Sequence, residues 1–332
     1  MTTITRLKGT VNADLPVLTK SYGIVENTQE GLFLAALERT GMTLDQTGRG
    51  AVGEFYAEGA RRGWLSKILY ALPFICDADH PNAAGVPMID RFHSHALMMT
   101  GTTGRGLTGG VPPQALVTDG SGRVTGVRPW RTDSCLVSRL TIYDLFAKYP
   151  GCANVRNGNY GMVWYGQTGA VAAGSTARIA GAGTPTAAEN YLGISTEGHF
   201  FQKVMGRDVR SADVGKKITA GGLHLLCEDM GDRAYGKNIM RYRLRDAAMA
   251  TMEALDETAA RASVDTVHDS TATARWSVNG HWNNTTVVTT HSNVSAQVET
   301  RYIAWHDGTL DAEDEATFVP ALKRLLAAFG KA

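Results

Sequence analysis

The sequence predicts a mainly-β protein, an antiparallel β-sandwich with helices ahead of it and one amphipathic helix behind it. Three observations lead there. Between residues 114 and 305, short apolar or alternating runs recur, each closed by Gly, Asn, Asp or Pro, at the spacing of a sandwich. No regular alternation of strands with long helices is seen, which a parallel doubly wound sheet would need. Glycine fills 37 of 332 positions against a usual ~7 %, and its concentration between residues 100 and 240 implies many tight turns there.

Residues 1 to 25 show neither a helical stripe nor a turn pair and read as an extended arm. Thr28-Gln29-Glu30 opens a helix over 28 to 40, with Leu32, Phe33, Ala36 and Leu37 on its apolar face and Gly41 as its cap. After the Gly48-Arg49-Gly50 break, Val52, Phe55, Tyr56 and Ala60 form a second stripe, ended by Arg61-Arg62-Gly63 with cations where the helix dipole favours them. Trp64, Leu65, Ile68, Leu69 and Leu72 stand at offsets of one, four, five and eight and predict a third helix. Pro73 stops it and sends the chain out extended at Phe74. Trp64, Ile68, Leu72, Pro73 and Phe74 are therefore read as a structural anchor, buried under the sandwich near the last helix.

Residues 92 to 99 are strand-like, and the five glycines in 101 to 110 mark a loop. Strands are predicted at 114–118, 123–128, 135–143, 160–166, 176–180, 191–194, 199–205, 222–228 and 238–244. Residues 246 to 262 stay open between helix by propensity and strand by position. Strands resume at 272–278 and 285–290 with Asn279-Gly280 as a hairpin-type turn, and a last one runs through Arg301 to Trp305. Leu310-Asp311, followed by Glu313, Asp314 and Glu315, starts the terminal helix, whose face is Phe318, Leu322, Leu325, Leu326 and Phe329; Pro320 should kink it or restart its first turn.

Composition bounds function more than it names it. With 43 % apolar and 20 % charged residues the chain can build a core, and a formal charge of +1 without a basic stripe points away from nucleic acid and from a membrane surface. The N-terminus lacks the apolar region of a signal peptide, and no run approaches a membrane span. Cys76, Cys135, Cys152 and Cys227 are scattered without a CxxC pair and read as reduced, mostly buried thiols rather than a disulfide framework or metal site.

Constellations with chemical potential are few. Gly104-Arg105-Gly106-Leu107-Thr108-Gly109 matches a nucleotide-phosphate fingerprint in letter, but the prolines at 112 and 113 forbid the helix it requires, so no cofactor is assigned. His93 and His95 share one side of a strand and His80 lies near Asp77 and Asp79, yet no third ligand is evident for the first pair and a solvated loop accounts for the second; no metal is assigned. No strand carries the paired carboxylates of a glycosidase and no G-x-S-x-G elbow occurs, so no catalytic residue is assigned. Sugar-binding surfaces use exposed aromatic faces with amides nearby, which makes Trp130, Trp282 and Asn283 the candidate glycan contacts, beside the plainer reading that the two tryptophans cover a sandwich edge. Trp164, Trp276 and Trp305 sit in strand patterns and read as core.

Four stretches together resemble tailed-bacteriophage virion proteins with a concanavalin-A-like, laminin-G-type lectin sandwich: Gly63 to Phe74 with Asn82 and Pro87 to Asp90 after it, the Gly/Thr-rich loop 100–110, Tyr191-Leu192-Gly193-Ile194, and Tyr302 to Phe329. Ile75-Cys76-Asp77 departs from that pattern, as do residues 236 to 262, and the first fifty residues lie outside it. The resemblance implies a concanavalin-A-like jelly roll at 76–308, preceded by an extended arm at 1–25 and a helical anchor at 26–75 and followed by a helix at 309–332. It implies a tail fibre, adhesin or head-decoration subunit, made in the host cytoplasm, oligomeric, and bound through arm and helices to other virion proteins and through its loops to host surface polysaccharide. The other class to weigh is a polysaccharide lyase or hydrolase on the same fold.

Overall fold

A computed structural model describes residues 28–92, 98–101, 114–129, 135–138, 140, 160–169, 171, 176–183, 190–195, 197–204, 207–210, 218, 221–232, 237–260, 275–282, 287–288 and 298–332. Three layers are seen. Helices α1 (Gln29–Arg39), α2 (Gln46–Arg62) and α3 (Ala312–Ala328) cover one face of a large antiparallel sheet, and a second antiparallel sheet covers the other.

The first sheet contains β1 (Ile68–Leu72), β2 (Ile89–Asp90), β4 (Gln114–Thr118), β5 (Val124–Pro129), β7 (Tyr160–Thr168), β12 (Leu223–Asp232), β13 (Lys237–Arg245), β14 (Thr251–Ala260) and β18 (Val298–Asp307). Its order is β14-β13-β12-β7-β18-β1-β2, with β5 also paired to β18 and β4 to β5. The second sheet runs β11-β10-β9-β8-β15-β6-β3, made from β3 (Met98–Gly101), β6 (Cys135–Ser138), β8 (Thr176–Gly183), β9 (Asn190–Ser195), β10 (Phe200–Val204), β11 (Arg207–Arg210) and β15 (Arg275–Val278). A short pair, β16 (His281–Trp282) with β17 (Val287–Val288), stands apart.

Between the sheets the packing is aromatic. Trp276 of β15 stacks on Trp305 of β18 with centroids 5.0 Å apart and planes 9° from parallel, and Phe92 and Tyr70 flank that pair. Farther along, Trp164 of β7 meets Phe200 of β10 edge-on at 5.9 Å. Between the first sheet and the helices, Trp64 sits edge-on to Phe318 of α3 at 5.1 Å and to Phe55 of α2 at 4.9 Å. Gly59 makes room for that indole, because a Cβ there would lie 2.6 Å from its ring.

The main departure from sequence expectation is Trp64 to Leu72. It is one 3₁₀ turn, Trp64–Ser66, followed by strand β1 in the interior of the first sheet. All five residues of β1 are buried, because one face meets the helices and the other meets the second sheet. A strand buried on both sides reads as a continuous apolar run, which periodicity cannot tell from a helical stripe. Pro73 follows at the end of β1, and Phe74 takes a left-handed φ of 50°.

Other boundaries moved for local reasons. Helix α2 begins at Gln46 and passes through Gly48 and Gly50, because the Asp45 side chain accepts the Gly48 amide at 2.7 Å and caps it there. It ends where Gly63 turns left-handed at φ 88°. The open segment 246–262 contributes strand β14, held along β13. Helix α3 is one continuous span that includes Pro320. Asn279-Gly280 is a positive-φ turn, but it leads from β15 into β16, and these two are not paired with each other; β15 lies between β6 and β8.

Candidate functional site

Of the three residues proposed for glycan contact, Trp130 and Asn283 lie outside the described residues. Trp282 is placed by its main chain alone, in β16 opposite Val287. The structure therefore does not bring these three together into a described surface. His93, His95, Cys152 and the 104–109 loop are also outside it. His80 accompanies Asp77 in an exposed loop, with Nδ1 2.8 Å from Oδ1. The anchor residues Trp64, Ile68, Leu72, Pro73 and Phe74 are all buried.

What the fold does assemble is a charged cluster on the helix-covered face of the first sheet. Glu299 of β18 is buried, and its carboxylate accepts from Thr125 Oγ1 at 2.8 Å, from Arg301 Nε at 2.7 Å and from Gln167 Nε2. Three donors on one carboxylate offset much of the penalty of removing its charge from water. Arg301 also donates through Nη1 to the carbonyl of Lys331 at 2.9 Å. Lys331 lies just past α3, where Gly330 turns left-handed at φ 65° and the Lys331 amide returns to the Leu326 carbonyl.

That turn drives the Lys331 side chain inward, leaving the residue 1 % exposed. Its Nζ donates to the carbonyls of Phe74 at 3.0 Å and Thr125 at 2.8 Å. Burial pushes the amine down to about 8; Cys76 and Glu299 pull it up, and Arg301 pushes it farther down. Burial raises the neighbouring Cys76 thiol to about 11. Cys135, buried in β6, is pushed up to about 12 for the same reason. Cys76 and Cys135 are therefore poor nucleophiles at neutral pH, and Cys227 is buried as well.

A second line of charges fastens α3. Asp311 caps the helix, its Oδ1 accepting the amides of Glu313 and Asp314 at 2.9 Å each, while Asp314 Oδ2 accepts the Asp311 amide at 3.1 Å. These amides hold the Asp311 carboxyl below its usual range. Asp314 also takes the Lys67 ammonium, and Glu315 takes Arg245 Nη2 of β13 at 2.7 Å. Beneath them His306 of β18 is buried, its Nδ1 donating to the Gly308 carbonyl at 3.1 Å. Burial pushes this imidazole down to about 3 despite the carbonyls of Gly308 and Glu228, so it is neutral at pH 7. Gly161 leaves it space, since a Cβ there would fall 2.1 Å from the ring.

Between the sheets, among the described residues, a polar bridge of comparable quality centres on Asn279. Asn279 is fully buried; its amide donates to the Ile179 carbonyl at 2.6 Å and its Nδ2 to the Val127 carbonyl at 3.3 Å. Its Oδ1 accepts from Thr300 Oγ1 at 2.5 Å, and that hydroxyl in turn accepts from Trp164 Nε1 at 2.9 Å. Among the described residues no three His, Cys, Asp or Glu side chains gather as a metal would require.

Glu299, Arg301, Lys331, Asp314 and Asn279 turn their polar atoms toward other parts of the frame, which suits holding layers in register rather than receiving a substrate. Sequence reasoning did not single out Lys331, Glu299, Arg301, Thr300 or His306 as partners. The available signal was Glu299-Thr300-Arg301, three polar residues in a row ahead of the apolar run Tyr302 to Trp305.

No family model and no curated protein matches the chain. Among solved structures, a Trypanosoma rangeli sialidase in complex with 2,3-difluoro-KDN is similar at 9 % identity and TM-score 0.47, over 83 % of this chain and 39 % of that one. A sialidase-associated CBM40 module of Ruminococcus gnavus, bound to α2,3-sialyllactose, is similar at 12 % identity and TM-score 0.35, over 63 % and 95 %. A Shewanella oneidensis protein of unknown function is similar at 11 % identity and TM-score 0.37, over 64 % and 79 %. The chain thus spans well under half the length of the Trypanosoma rangeli sialidase. At this level of likeness none of these proteins says what the chain binds.

Proposed function

We propose that the protein works by binding, as a structural or adhesion subunit of a tailed-phage virion, with a rigid sandwich presenting loops to a host glycan or to neighbouring subunits. The observation that carries the binding part is the sheathing of the first sheet. Helices cover one of its faces and the second sheet the other, and the ionisable groups gathered there are spent on Glu299 with Arg301, Asp314 with Lys67, and Glu315 with Arg245. Such a frame meets partners at its loops and rim, where recognition residues are commonly displayed on rigid scaffolds. The virion assignment rests on the resemblance of Gly63 to Phe74 and Tyr302 to Phe329 to virion sandwich proteins. In this reading the chain is made in the host cytoplasm, assembles with copies of itself and with other virion proteins through residues 1–75, and is carried in the particle as tail fibre, adhesin or head decoration.

The test is to apply the purified protein to immobilised bacterial surface polysaccharides while assaying the supernatant for released oligosaccharide, and to locate the subunit in intact particles by electron cryomicroscopy. Retention on a glycan, or density in a particle, without release is the expected result. Released oligosaccharide would replace this reading with a lyase or hydrolase.

A further inference from the structure

The tail that follows α3 does more than end a helix. It carries a cation into a layer that already holds a guanidinium, and it does so at a place where the main chain offers only carbonyls. We propose that Lys331 is a latch: its amine, held between the carbonyls of Phe74 and Thr125, fastens α3 across the first sheet and lets go more readily when it carries its extra proton.

The donor count supports this. A neutral amine has two N–H donors, and the site supplies two acceptors, Phe74 O at 3.0 Å and Thr125 O at 2.8 Å. Protonation adds a third hydrogen and a full charge in a site that is 1 % exposed. The groups facing it are Cys76 beyond β1, Thr125 on β5, and Glu299 and Arg301 on β18, while Arg123, just ahead of β5, packs on the adjoining Gly330 and adds a further positive charge nearby. Cys76 pulls the amine's value up, but burial holds it as a thiol to about pH 11, so this pull does not cancel the effect of burial on the amine. Glu299 is the one carboxylate among these neighbours, and its oxygens already accept from Thr125, Gln167 and Arg301. Arg301 is committed to Glu299 and to the Lys331 carbonyl, and its charge opposes a second cation. The closed tail therefore favours the neutral amine, in keeping with its downward displacement to about 8 from an ordinary 10.5.

The direction of the pH effect follows. Between about pH 8 and 10.5 the released lysine holds a proton that the seated one has lost, so raising the pH favours the seated state about tenfold per unit. Below about 8 both forms are protonated and the preference is flat at its weaker value. At neutral pH the latch is thus near its loosest, and the tail is the part of α3 poised to open first.

The experiment compares the wild-type chain with Lys331→Arg, which keeps a charge that does not titrate in this range, and with Lys331→Met. Unfolding equilibrium constants are measured in urea from pH 7 to 10.5, and amide exchange over Leu326 to Lys331 is followed by mass spectrometry at pH 7.5. The stability of the wild type relative to Lys331→Arg should stay constant below pH 8 and then rise by about tenfold per unit. Exchange in the tail should be faster in Lys331→Met while α2 is unchanged. A flat ratio across pH 8 to 10.5, or unchanged tail exchange in Lys331→Met, overturns the proposal. Should both variants fail to fold, NMR titration of the Lys331 side chain in the wild type decides: a midpoint near 10.5 rejects the latch and one near 8 supports it.

Discussion

The two faces of the first sheet are held by different physics. Toward the second sheet, Trp305, Trp276, Trp164, Phe200, Tyr70 and Phe92 form a buried aromatic layer crossed by the Asn279–Thr300–Trp164 bridge. Toward the helices, an aromatic cluster around Trp64 is combined with ion pairs and with titrating groups, namely His306 and Lys331. Apolar burial is insensitive to pH and to screening salt, whereas a buried imidazole or amine is not. The helix layer is thus the half whose attachment the surroundings can tune.

That contrast can be broken by measurement. Trp305→Ala and Phe318→Ala, one on each face, should each lose about 3–5 kcal/mol in urea unfolding, since each removes a fully buried aromatic side chain. Equal losses with no dependence on salt would show that the two faces share the same apolar base. Acid should then separate them. The His306 imidazole is displaced from 6.5 to about 3, so the unfolded chain binds the proton first and stability falls as pH drops from 6.5 toward 3, by on the order of 4 kcal/mol from this group. A stability profile flat over that window would remove His306 from the argument.

Smaller effects sharpen the picture. Asn279→Ala should cost about 1–3 kcal/mol at any pH, because it strands the Thr300 hydroxyl and the Val127 carbonyl between the sheets. Asp311→Ala should cost about 1 kcal/mol by uncapping α3, and amide exchange should quicken in its first turn. At the bottom of the scale, Arg61→Ala should leave the urea unfolding midpoint essentially unchanged, since its pair with Glu58 is exposed and screened by solvent.

The sequence made the ends and most of the strands legible because their signals are local. Asp311 with its following acids marks a helix start, Gly63 marks a helix end, and the strands from 114 to 244 are bounded by turn residues. Strand β1 was illegible for a tertiary reason: Ile68 to Leu72 are apolar in succession because both faces of the strand are covered by elements far along the chain, as where Trp305 meets Tyr70. The charged cluster was hidden for the same reason. Thr125 meets Glu299 across 174 positions, and Lys331 meets Phe74 across 257. No spacing rule reaches that far, and a lone Lys in a helix tail normally signals solvent.

The pairing of β1 with β18 also sets a timetable. Tyr70 lies opposite Trp305 and Leu72 opposite Ile303, so an interior strand has to await a partner made much later in synthesis. At a synthesis rate of about 5–20 residues per second, β1 leaves the ribosome some tens of seconds before β18 exists. During that interval Ile68 to Leu72 form an apolar segment with an unfilled edge, the kind of segment that chaperones hold and that aggregates recruit. Closure of this sheet is therefore expected to be the slow event in folding, and the yield of the protein should depend on how well β1 is shielded until β18 arrives.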